Sequence, residues 1–150
     1  MNVFERDDEN RKRRANGIVT AWTCFEASIR DLLNSYNNSH SKGQLHPAKI
    51  VESKDTLIVI ECNLGPSPKE DFSTLMLTVT ANMVREEFLI EARLERWLLR
   101  LPGAPSKSDS SESFRFTLEL ADGDAVLSHK GQPYSPYQAA ELLLETALLK

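Results

Sequence analysis

Residues 84–101 read VREEFLIEARLERWLLRL, and the fold turns on this stretch. As a strand, Phe88, Ile90, Ala92 and Leu94 point to one face while Glu91, Arg93 and Glu95 point to the other, the period of two that a half-buried sheet requires. As a helix, Ile90, Leu94, Trp97 and Leu101 share a stripe, the Glu, Ala, Arg and Leu content favours helix, and Pro102-Gly103 makes a stop. The strand is preferred because a helix leaves Phe88 and Leu99 on its far face, whereas the strand exposes only Leu89.

The segments before it favour the same choice. In FSTLMLTVTA, residues 72–81, Leu75, Leu77, Val79 and Ala81 alternate with Thr74, Met76, Thr78 and Thr80, so one face is apolar and the other polar. Residues 48–53 and 56–63 flank Lys54-Asp55, a break of hairpin length, and TLIVIECN is apolar and β-branched enough for a central strand. Gly65, Pro66 and Pro68 predict a loop. After residue 101, the stretch 102–113, PGAPSKSDSSES, has no apolar anchor and reads as a mobile loop. Phe114, Phe116, Leu118 and Leu120 then alternate with polar residues, Ala121 to Asp124 form a turn, and residues 125–129 return as the second arm of a hairpin.

Helices are expected at both ends. Ile18, Trp22, Phe25, Ile29, Leu32 or Leu33, and Tyr36 recur at steps of three and four, predicting an amphipathic helix over residues 8–37 with Asp7, Asp8 and Glu9 at its positive end. The polar stretch Asn37 to Gly43 ends it in a loop that runs to Pro47. Ser135-Pro136-Tyr137-Gln138 opens a second helix with a capping box and a proline at the first position. The order is therefore long N-terminal helix, a mostly antiparallel sheet of five or six strands, and C-terminal helix, a two-layer α+β domain with both helices on the face carrying Leu75, Leu77, Val79, Phe114, Phe116 and Leu118.

Composition bounds the function. The 150 residues fit one domain,. No apolar run reaches the roughly 20 residues of a membrane-spanning helix and the first residues lack the apolar core of a secretory signal, so a cytoplasmic protein without membrane contact is expected. A net charge of −4 argues against polyanion binding by the whole surface,. Arg11-Lys12-Arg13-Arg14 is the one dense basic cluster. Acidic residues at positions 5 and 7–9 stand at helical pairing distance from it, so a solvated helix face is favoured over nucleic-acid contact.

Catalytic signatures are absent. His40, His46 and His129 have no metal-ligand spacing, so neither metal nor cofactor is expected. Cys24 and Cys62 sit among apolar neighbours and read as small core residues rather than reactive thiols. The glycines are scattered, with no phosphate-binding loop. Ser128-His129 lacks the glycines of a nucleophile elbow, and Glu86, Glu87, Glu91 and Glu95 read as a solvated face.

Two readings remain. In the first, the chain is a non-catalytic protein-interaction or chaperone-like module that self-associates as a homodimer. The closing helix carries more apolar surface than one sheet can hide, which marks Leu142, Leu143, Leu144, Leu148 and Leu149 as an interface with a second copy or a protein partner, unless the N-terminal helix covers them. In the second, His129, Tyr134, Tyr137 and Cys62 surround a small-ligand or enzyme pocket near the segment GQPYSPY, residues 131–137. That reading requires at least two of these groups to converge.

Overall fold

The computed structural model describes residues 1–67, 70–84, 87–99, 107–121 and 124–149. The chain runs α1 (Val3–Ser39), α2 (Ser41–Leu45), β1 (Ala48–Lys54), β2 (Leu57–Ser67), β3 (Glu70–Val84), β4 (Glu87–Leu99), β5 (Lys107–Ala121), β6 (Asp124–His129), β7 (Gln132–Tyr134) and α3 (Pro136–Leu148). The strands form one sheet in the order β1-β2-β3-β4-β5-β6-β7, every neighbouring pair antiparallel. The α+β architecture is the one the sequence predicts, with seven strands instead of five or six.

The disputed segment is strand β4. Its register sets Leu77 opposite Leu94, Val79 opposite Ala92 and Ala81 opposite Ile90, so its alternation continues that of β3. Phe88, Ile90, Ala92 and Leu94 are all buried on the face that also carries Ile58, Ile60, Cys62, Phe116 and Leu127. Leu89, expected on the solvent face, is only 5% exposed. It lies between Asn82 of β3 and Thr117 of β5 in register.

Several boundaries differ from the sequence reading for local reasons. Helix α1 starts five residues early, because Asn2 caps it: the Glu5 N–H donates to Asn2 Oδ1 at 2.9 Å and Glu5 reaches back to the Asn2 N–H,. The expected loop before Pro47 contains the single-turn helix α2, capped by His40, whose Nδ1 accepts from the Lys42 N–H at 3.2 Å. Strand β2 runs through Gly65 and Pro66, absorbing them as register irregularities between Asn63 and Ser67,. Residues 107–113, read as loop, belong to β5, because β4 offers a full pairing edge opposite them. The remainder of that loop, Pro68 and the turn at 122–123 lie outside the described residues. The short β7 was not anticipated: Lys130 (φ 51°) and Gly131 (φ 77°) form the two-residue left-handed turn that matches strand twist,.

Both long helices lie on one face of the sheet. Trp22, Phe25, Ile29 and Leu33 of α1 and Ala139, Ala140, Leu143, Leu144, Ala147 and Leu148 of α3 share one core with the inward strand residues. The proposed interface leucines are thereby divided. Leu143, Leu144 and Leu148 are buried within the single chain, Leu142 is half-buried, and Leu149 is 54% exposed. The surplus apolar surface of α3 is covered by α1 packing beside it. The two outermost strands are blunted: β1 carries charged residues and a bulge at the exposed Val51, and β7 is three residues long with Pro133 in it, whereas among the described residues positions 107–116 of β5 pair with β4 alone,. Among the described residues no helix is long and apolar enough to cross a membrane.

Candidate functional site

Where the second half of α1 lies against α3, their faces leave a groove of about 390 Å³. Helical spacing builds both walls. Leu32, Ser35, Tyr36 and Ser39 come from successive turns of α1, and Glu141, Leu144, Glu145 and Leu148 from α3, with His40 and Leu149 together at the end where Lys42 meets the Leu148 carbonyl. The floor is apolar. The α1 rim carries two hydroxyls and the His40 ring, which stacks on Tyr36 at 5.4 Å. The α3 rim carries two exposed carboxylates one turn apart, and among the described residues neither Glu141 nor Glu145 has a basic partner. Like charges at this spacing cost a helix a few tenths of a kcal/mol, roughly 0.2–0.5.

Helix α2 braces the groove from below. Gly43 is buried directly against the Tyr36 carbonyl, and Lys42 Nζ donates to the Leu148 carbonyl at 3.1 Å, linking α2 to the end of α3. Asn37 secures the start of β1 with two bonds, donating to the Ala48 carbonyl at 2.8 Å and accepting the Ala48 N–H at 2.9 Å. The Tyr36 hydroxyl is buried without a hydrogen-bond partner among the described residues. Burial pushes the Tyr36 phenol up and the neighbouring Cys62 adds to the shift. Burial likewise pushes the Cys62 thiol up, against a smaller opposing pull from the Lys42 ammonium. The thiol donates to the His46 carbonyl at 3.2 Å. A buried thiol held in its neutral form is a poor nucleophile at neutral pH.

The residues marked from sequence do not form one site. His129 and Tyr134 do meet, with ring centroids 6.2 Å apart, but Phe116 packs against both rings and Phe114 against His129. Nδ1 of His129 lies 2.9 Å from the Arg115 carbonyl, which can only accept, so that nitrogen carries the proton,. Cys62 is on β2, four strand spacings from His129 on β6, a separation of about 19 Å at roughly 4.8 Å per spacing. Tyr137 is exposed on the first turn of α3. His40 joins the groove rim, whereas the backbone of His46 serves Cys62, and among the described residues no cluster of three His, Cys, Asp or Glu side chains is placed to hold a metal.

The sequence reading missed Tyr36, His40, Glu141 and Glu145 as site residues. The pair Glu141 and Glu145 was the available signal: two carboxylates one turn apart on an otherwise apolar helix, with no basic residue at pairing distance on the described part of that helix. The groove itself had no signal, because its two walls lie about 110 positions apart in the chain. Compared with protein-family models, curated proteins and solved structures, the chain matches none.

Proposed function

We propose that the chain is a non-catalytic protein-interaction module whose docking surface is the groove between α1 and α3, and that its partner is a short amphipathic helix with an apolar stripe and basic flanks. The observation that carries this reading is the groove's composition: a leucine floor beside two carboxylates that have no basic partner among the described residues. Helix-in-groove recognition uses such a surface, with apolar anchors supplying affinity and rim charges supplying selection. The charged, bulged β1 and the short β7 disfavour strand addition at the two outermost strands,.

The test is titration with two labelled helical peptides that share one apolar stripe and differ in flanks, lysine in one and glutamate in the other. Two exposed ion pairs at about 0.5 kcal/mol each give the basic peptide roughly fivefold tighter binding. Reversing the rim in Glu141→Lys/Glu145→Lys reverses the preference. Equal binding of both peptides, or amide shifts mapping away from Leu32, Tyr36 and Leu144, refutes the assignment.

A further inference from the structure

The first three turns of α1 stand apart from the core. Residues 1–13 are all exposed, and the first buried side chain of the helix is Ala21. Eleven helical residues, Val3 to Arg13, therefore form an arm about 17 Å long at 1.5 Å per residue,. Isolated helices of this length are marginal in water. The capping box at Asn2 and two pairs one turn apart, Arg11 with Asp7 and Lys12 with Asp8, each at 3.0 Å, support it from within.

We infer that this arm pairs antiparallel with the arm of a second copy, making the protein a homodimer through α1. The stripe that packs on the sheet as Ile18, Trp22, Phe25 and Ile29 continues toward the N-terminus as Ala15, Arg11, Asp8 and Phe4, at the alternating steps of three and four of a paired-helix seam,. In an antiparallel pair these positions meet in one register. Phe4 faces Ala15 of the second copy and Asp8 faces its Arg11, so every layer joins apolar to apolar or acid to base. The flanking positions follow the same rule, setting Glu5 against Lys12. Parallel pairing fails, because it sets Asp8 on Asp8 and Arg11 on Arg11. Phe4, 84% exposed, gains cover in this arrangement. The acidic and basic blocks that look like a solvated helix face are thus self-complementary, and charged layers inside a seam are a known device for fixing orientation.

This inference is independent of the groove and survives its failure. The experiment is sedimentation of the full chain with two single variants, Asp8→Arg and Arg11→Asp. Wild type is expected at twice the 16.9 kDa of one chain at low salt and to shift toward one chain in 1 M salt as the pairs are screened. Each variant alone sets like charges in the central layers and weakens association at least tenfold, while an equimolar mixture restores it, because each reversed residue then meets its opposite. Phe4→Ser weakens association without altering charge. All three substitutions fall on exposed residues, so unchanged melting of the separated chains confirms that the fold is intact. A monomeric wild type, variants that still associate as wild type, or a mixture that fails to recover would each overturn the proposal.

Discussion

Replacing Gly43 by alanine sets two effects of opposite sign against each other. Gly43 lies in α2 with no unusual backbone angle, and in a helix alanine is favoured over glycine by about 1 kcal/mol. A Cβ there would meet the Tyr36 carbonyl oxygen at 2.1 Å, its carbonyl carbon at 2.7 Å and the ring carbon Cδ1 at 2.9 Å. Ordinary contact needs about 3.5 Å, so α2 must retreat by more than 1 Å from the last turn of α1. That carbonyl also accepts the His40 N–H at 3.2 Å, the bond that caps α1, and α2 carries the Lys42 link to Leu148. Overpacking against unyielding backbone costs about 3 kcal/mol, the upper part of its usual range, which leaves a net loss of roughly 2 kcal/mol. For 150 residues the unfolding entropy is about 315 cal/mol/K, so calorimetry should show Tm falling by about 6 °C,. Gly131→Ala is the control. Its φ of 77° strains any side chain, but no atom lies within 4 Å, and the cost is about 1 kcal/mol, or roughly 3 °C. If Gly43→Ala leaves Tm unchanged or raises it, helix propensity alone governs the position and the close packing of α2 on α1 is wrong.

Tyr36→Phe removes a buried hydroxyl that has no partner among the described residues; stability should rise by about 1 kcal/mol, and a lower Tm would reveal a hydrogen bond at that oxygen. Asn37→Ala strips the Ala48 N–H and carbonyl of both their side-chain partners and should cost about 2–3 kcal/mol in urea denaturation, with a loss below 0.5 kcal/mol counting against the pairing. In thiol titration Cys24, which is exposed, should react in the folded protein and Cys62 only after unfolding, and two equally fast thiols would contradict the burial of β2. Because Cys62 and Tyr36 are both raised by burial, the unfolded chain releases their protons first. Stability is then complete below about pH 8.5 and falls as pH rises through the ordinary thiol and phenol ranges. Cys62→Ala should remove the lower limb of that decline, and a stability curve that stays flat from pH 8 to 11 would show that neither group is held neutral.

Periodicity carried most of the fold. The alternation in residues 72–81 and 88–94 specifies strands because a one-residue slip would turn every apolar side chain of a two-faced sheet toward water. Ser135 and Gln138 likewise announced α3: the Gln138 N–H donates to Ser135 Oγ at 3.1 Å and the Ser135 N–H to Gln138 Oε1 at 3.0 Å. The misread boundaries fall where a partner strand overrode local preference. Gly65-Pro66 argues for a loop in isolation, but β3 provides a ladder that tolerates the irregularity, and the serine-rich 107–113 becomes strand because β4 lies beside it.

The site was less legible. Leucines 142–144 cover too wide an arc for one sheet, which is correct arithmetic, but sequence could not say whether α1 or a second copy takes the remainder. Packing assigns Leu143, Leu144 and Leu148 to α1 and the sheet and leaves the groove between the two helices. His129, Tyr134 and Cys62 appeared as one candidate pocket because strand count had not yet placed β2 and β6 on opposite parts of the sheet. By itself, then, the sequence determined which faces of each element are apolar and where the charges of the N-terminal arm fall, because those depend on spacing along a single helix or strand. Only the tertiary structure decided which apolar face covers which, and so left Glu141 and Glu145 on the rim of a groove, because that depends on contacts between residues more than a hundred positions apart.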